Sequence, residues 1–155
     1  MKMKKSLTLE EQLQKELWNL EEMNETFITG SQKFLVATDA SDIDYVMMKE
    51  DYDAKIYPII HGQDEIIEED GSGTGRQDPT SHSSVKFRKY NFILTWTEEQ
   101  FDAWYITTEM ISNNTRLYDI RDKTTRVNLF HDIKMIVYNF LENARLARLE
   151  KDTPP

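Results

Sequence analysis

The sequence predicts an α/β (α+β) fold: a small mixed β-sheet flanked by helices, with a helical C-terminal third. Three observations predict it. Two segments of strand length, Thr26–Thr29 around the apolar Phe27-Ile28 and Ile43–Met48 with the apolar Tyr45 to Met48, are bounded by turn residues. Between residues 9 and 23, leucines recur at three- and four-residue steps. From Thr97 onward, apolar residues return with a helical period. The chain has 155 residues, 17 of them aromatic, which suits one domain with a sizeable core. The expected organisation is a single domain over 1–150, with a mobile loop at about 69–84 and a frayed tail at 151–155.

Each element has its own signal. Thr8-Leu9-Glu10-Glu11 fits a capping box, Thr first and Glu three residues later. Leu9, Leu13, Leu17, Leu20 and Met23 then form an apolar stripe with Trp18 beside it, and acids fill the other face. Asn24-Glu25 breaks this pattern. A strand is expected at Thr26–Thr29, a short helix or turn over Ser31 to Leu35, a turn at 38–41 and a second strand at Ile43–Met48. Residues 51–68 read as partly helical, interrupted by Pro58. The stretch 69–84 is rich in Gly and Ser and reads as loop. Val85 to Trp96 is a third strand region containing Arg88-Lys89.

Thr97-Glu98-Glu99-Gln100 starts a helix whose apolar side is Phe101, Trp104, Tyr105, Thr108, Met110 and Ile111; Asn113-Asn114 ends it. Asp122 opens a long final helix carrying Val127, Leu129, Phe130, Ile133, Ile136, Val137, Phe140 and Leu141. Arg145, Arg148 and Lys151 lie toward its C-terminus, where cations suit the helix dipole.

The net charge is -9, which argues against non-specific DNA binding and against attachment to an anionic membrane. The absence of cysteine excludes disulfides, zinc-thiolate sites and thiol catalysis. No apolar run approaches a membrane span, and the basic N-terminus lacks the apolar segment of a signal peptide, so a cytoplasmic location is expected. The glycines of 71–75 follow no apolar strand and lead to no Gly-Lys-Ser/Thr ending, which rejects a P-loop. His61, His82 and His131 have no second histidine at metal-ligand spacing.

One stretch carries chemistry. In a strand, Asp42 and Asp44 point to one face while Ile43 and Tyr45 point to the core. Two carboxylates so close repel unless a cation lies between them, and Mg²⁺ favours a few carboxylates supplemented by phosphates. Gly30 lets the backbone turn and approach a ligand, and Ser31 beside it can hold phosphate oxygens. Gly-Ser is also a common turn, and Asp-x-Asp is common on solvated strand ends; their joint occurrence after and before apolar runs is what points to a site. Lys33 is placed to reach a phosphate, and Arg88-Lys89 to offset a triphosphate. Arg76 and His82, on the loop, are candidate ligand contacts. Glu65, Glu68, Glu69 and Asp70 are candidate extra metal ligands within a run that otherwise reads as a solvated acidic face.

Gly30-Ser31, ten intervening residues, then Asp42-Ile43-Asp44 resembles the signature of the nucleotidyltransferase superfamily related to DNA polymerase beta. Within it, the chain is most similar to small nucleotidyltransferase-like proteins encoded by bacteriophages, through 90–95 (Tyr-Asn-Phe-Ile-Leu-Thr), 101–104 (Phe-Asp-Ala-Trp) and the stretch Asp122 to Phe130. The resemblance implies transfer of a nucleoside monophosphate from a nucleoside triphosphate to an acceptor hydroxyl. It implies Mg²⁺ (or Mn²⁺) on Asp42 and Asp44, phosphates on Gly30 and Ser31 with help from Lys33 and Arg88, and a host protein or RNA as acceptor in the bacterial cytoplasm. The superfamily's third carboxylate falls at Asn91, which is a neutral oxygen ligand and no carboxylate base. Gln32 and Leu35 stand where a basic residue and a glycine are common. These departures imply an alternative: a catalytically degenerate nucleotidyltransferase fold that binds a nucleotide or a host protein, for example to counter a bacterial defence.

Overall fold

Helix α1 (Leu9–Glu22) starts where Thr8 accepts from the Glu11 N–H at 3.1 Å and the Glu11 carboxylate accepts from the Thr8 N–H at 3.2 Å, the predicted capping box. It ends at Glu22, and Asn24 just beyond it takes a positive φ of 57° that lets the chain reverse; the Glu25 N–H closes back on the Leu20 carbonyl at 2.8 Å. The structure is a computed structural model that describes residues 6–34, 37, 41–62, 66–69, 80, 83–114 and 122–152.

Strand β1 (Thr26–Thr29) runs into the short helix α2 (Gly30–Lys33), and the chain returns as β2 (Ile43–Met48). Then come α3 (Lys49–Asp51), a π-helical turn (Tyr52–Ile56) and α4 (Tyr57–Ile60). Pro58 does not interrupt this segment as expected; it lies in the first turn of α4. A proline has no N–H to give the preceding turn, and the chain widens just before it, the Tyr57 N–H reaching the Tyr52 carbonyl five residues back.

Strands β3 (Ile66–Glu69), β4 (Ser83–Phe87) and β5 (Tyr90–Thr95) follow, then helices α5 (Glu98–Asn114) and α6 (Lys123–Asp152). Residues 66–68 are thus strand rather than helix. The expected third strand region is two strands of a tight hairpin, with Phe87 opposite Tyr90 and Arg88-Lys89 forming the turn. Arg88 takes a positive φ of 52° to close it. The expected loop over 69–84 shortens at both ends, since Glu69 and Ser83-Ser84 belong to strands; 70–79, 81 and 82, with Arg76 and His82, lie outside the described residues. The tail shortens too, because Lys151 and Asp152 stay helical.

The sheet is mixed, in the order β1-β2-β5-β4-β3. Neighbours pair antiparallel except β2 and β5, which run parallel at its centre. One face packs Tyr45, Met47, Phe92 and Leu94 against Leu13, Leu17 and Leu20 of α1 and Tyr52, Ile56 and Ile60 of the helical segment. The other packs Phe27, Val46 and Ile93 against Trp104 and Ile111 of α5 and Phe130 of α6. The helix stripes are narrower than the apolar pattern implies. Trp18, Met23, Tyr105 and Met110 are exposed, as are Ile136 (70%) and Phe140 (72%) of α6.

In their place the α5–α6 contact buries a lysine. The Lys134 ammonium lies 3.8 Å from the centre of the Trp104 ring and 2.7 Å from Nδ1 of His131, held by an aromatic face and an imidazole. No helix among the described residues is long and apolar enough to cross a membrane.

Leu17 and Trp18 separate buried from exposed positions on one helix. Leu17→Ala is expected to cost roughly 2–5 kcal/mol in urea unfolding. Trp18→Ala, 61% exposed, is expected to cost less than about 1 kcal/mol.

Candidate functional site

The strand registers assemble the site. Thr29 of β1 lies opposite Asp44 of β2, Asp44 opposite Asn91 of β5, and Asn91 opposite Lys86 of β4. Residues directly opposite one another project to the same face, so a hydroxyl, a carboxyl, an amide and an ammonium form one row across four strands. The row is on the α5 side, where the Thr29 and Thr108 hydroxyls are 2.8 Å apart. Ile43 and Tyr45 point to the opposite core, as expected.

Asp44 is its centre. Asn91 donates its amide N–H to Asp44 Oδ1 at 3.1 Å. Gly30, with φ +71°, lies directly against the same carboxyl: a Cβ built there would run into Oδ2 and stand 3.2 Å from Cγ. Only a residue without a side chain permits this approach, in a left-handed conformation that other residues resist. Burial pushes the Asp44 carboxyl from its ordinary 3.8 up to about 6, and the charge of Asp42 adds to the rise. The Asn91 hydrogen bond and the ammoniums of Lys123 and Lys86 act in the opposite sense. Asp42, just before β2, pairs through Oδ2 with Lys86 Nζ at 3.2 Å.

The other expected residues are distributed differently. Ser31 is in the first turn of α2, next to Gly30. Lys33 is engaged with Glu109 of α5 at 3.7 Å. Arg88 reaches Glu10 of α1 at 3.3 Å, on the far face of the sheet. Glu65 and Asp70 lie outside the described residues, and Glu68 and Glu69 belong to β3, the strand at the edge of the sheet beyond β4. Leu35 is also outside the described residues.

The structure adds two lysines. Lys86 carries a legible signal, since it alternates with the buried Val85 and Phe87 and must face away from them. Its place beside Asn91 needs the hairpin register. Lys123, at the start of α6, brings a positive charge that acts on Asp44 only through the return of the chain, and no local pattern announces it. A second pair of shifted groups is on the opposite face. There burial pushes the Tyr45 hydroxyl up to about 12 and raises the Glu21 carboxyl that it hydrogen-bonds.

Set against known proteins, the chain matches no family model, no curated protein and no solved structure.

The donor set defines what the site can hold. Asp42 and Asp44 offer carboxylate oxygens and Asn91 an amide oxygen, all hard ligands. Among the described residues no group of three or more His, Cys, Asp or Glu is arranged to hold a metal ion by itself. Mg²⁺ ordinarily takes one or two carboxylates and completes its shell with water and phosphate oxygens. The residues therefore fit a divalent ion that arrives with a phosphate ligand.

Gly30→Ala is expected to destabilise the fold by about 1–3 kcal/mol in urea titrations. Combined with Asp44→Ala, which removes the carboxyl it strikes, its effect should be non-additive by at least about 0.5 kcal/mol.

Asp44 also predicts a pH dependence. Between its ordinary 3.8 and about 6, the native state holds a proton that the unfolded chain has lost. The contribution of this group to stability therefore falls as pH rises through that window and stays low above it. Asp44→Asn should gain on the wild type between pH 4 and 7, by up to roughly 3 kcal/mol. Urea midpoints at four pH values check it; parallel curves for the two proteins would contradict it.

Proposed function

We propose that the chain is a nucleotidyltransferase-like protein whose strand end at Asp42 and Asp44 binds a nucleoside triphosphate together with Mg²⁺, and that it acts by holding the nucleotide. The observation that carries this is the row Asp44–Asn91–Lys86 beneath Gly30. Together with Asp42 it supplies carboxylates for a hard cation, a glycine packed against one of them, and an ammonium beside them for phosphate.

Asp42 and Asp44 would hold the ion, which when bound neutralises phosphate charge and orients the triphosphate. Gly30 and Ser31 border the place of the outer phosphates. Asn91 takes the position of the superfamily's third carboxylate and donates its N–H to Asp44. It has no lone pair basic enough to take a proton from an acceptor hydroxyl, which favours binding over transfer. On the resemblance, the setting is a bacterial host's cytoplasm and the further partner a host protein or RNA.

Transfer of a nucleoside monophosphate is the second reading. The intact Gly30-Ser31 and the paired Asp42 and Asp44 favour it, because they keep the motif on which the resemblance to a transferring superfamily rests.

Calorimetric titration of the four nucleoside triphosphates with Mg²⁺ tests the site. Wild type should bind at least one of them, and the Asp42→Asn, Asp44→Asn double variant should lose about tenfold or more in affinity, ~1.4 kcal/mol. Absence of heat from a folded wild type, for all four, would sink the proposal. Asn91→Asp separates the two readings: if binding is the function, label transfer from a radioactive triphosphate appears only once that carboxylate is restored.

A further inference from the structure

Resting on the nucleotide reading above, we infer that Lys86 is a built-in counter-ion: it occupies the Asp42 carboxylate until a metal–triphosphate arrives, then turns to a phosphate oxygen. The ammonium and the incoming ion need the same oxygen. Lys86 Nζ is 3.2 Å from Asp42 Oδ2. Mg²⁺ bonded to that oxygen at about 2 Å would stand against the ammonium, two cations on one carboxylate. One of them has to leave.

Lys86 is built to be the one that moves. Its backbone is anchored in β4 opposite Asn91, one strand from Asp44. Its side chain is 48% exposed, on a flexible four-carbon stem, and its partner Asp42 is 30% exposed. An ion pair so open to water is weak and easily exchanged. A compact ammonium is also a ready phosphate partner. Of the cations that the sequence singles out in the described residues, Lys33 is committed to Glu109 and Arg88 to Glu10, and the Lys89 ammonium lies 5.5 Å from the centre of the Tyr90 ring, which belongs to the opposite core, so that Lys89 is no part of the site.

This makes the metal and the nucleotide arrive together. Metal alone competes with Lys86 for Asp42. Metal carried on a triphosphate brings the acceptor oxygens to which Lys86 can turn. The bare site thus resists divalent ions, and the loaded site gains a phosphate contact from the same residue.

The experiment uses the full chain and two probes. Mn²⁺ without nucleotide is titrated by electron paramagnetic resonance, and the triphosphate that wild type binds is titrated with Mg²⁺ by calorimetry. Lys86→Met is compared with Lys89→Met, which removes the same charge from the neighbouring turn; circular dichroism checks folding, and Lys86→Gln replaces the Met variant if that one fails to fold. Loss of Lys86 should tighten Mn²⁺ alone about three- to fivefold and weaken the metal–triphosphate by about threefold or more, the scale of one solvent-exposed ion pair. Lys89→Met should stay within about twofold of wild type on both. Equal Mn²⁺ affinity in Lys86→Met and wild type overturns the inference, and so does an equal gain in Lys89→Met. If no triphosphate binds wild type, the nucleotide reading fails and the phosphate role falls with it. The Mn²⁺ titration still decides whether Lys86 holds Asp42.

Discussion

Strands β2 and β5 run parallel and side by side at the centre of the sheet, and the rest of the molecule is arranged to permit it. A parallel pair cannot be closed by a tight turn. The chain between Met48 and Tyr90 therefore leaves the sheet through α3, the π-helical turn and α4, and re-enters on the far side through β3 and β4. Both faces of the central pair are covered, which explains its compositions. Tyr45-Val46-Met47 and Phe92-Ile93-Leu94 are continuous apolar runs rather than alternating ones, because successive side chains enter different cores.

The same pairing creates an electrostatic problem at its N-terminal end. It places a carboxyl in line with Asn91 and under the backbone of Gly30, where water is partly excluded. The molecule answers with one amide hydrogen bond and the positive charges of two lysines, and leaves the carboxyl with a raised proton affinity. Groups in such surroundings are over-represented at functional sites, because a side chain tuned by burial and by a specific charge partner can bind or exchange protons where an exposed one would stay solvated. The chain's net charge of -9 gives the two lysines added significance. They bring positive charge to the one place where the strand row concentrates polar groups.

Much of the architecture is legible locally. The bounds of β1 and β2, the capping box at Thr8 and the helix start at Thr97, whose hydroxyl accepts from the Gln100 N–H, match their signals, because each depends on residues within one turn or one strand. The misses have a common cause. Trp18, Tyr105, Met110, Ile136 and Phe140 are apolar without being core, since burial depends on which side of a helix meets a neighbour. Ile66–Glu69 is strand because β4 is there to pair with it, and Pro58 is tolerated because a π-turn precedes it. The hairpin at Arg88-Lys89 hid within one apolar region because it is closed by a non-glycine residue at positive φ.

By itself the sequence determined the fold class, the strand that leads into Gly30 and the strand that carries Asp44, and the opposite directions of Asp44 and its flanking apolar residues. These follow from period, caps and glycine, which act over a few residues. Tertiary structure alone decided that Asn91 would face Asp44, that Lys86 would pair with Asp42, that the charge of Lys123 would act on Asp44, and that Arg88 would turn to Glu10 on the other face. Register between strands distant in sequence is a property of the packed sheet, so the composition of the row beneath Gly30 exists only once both cores have closed.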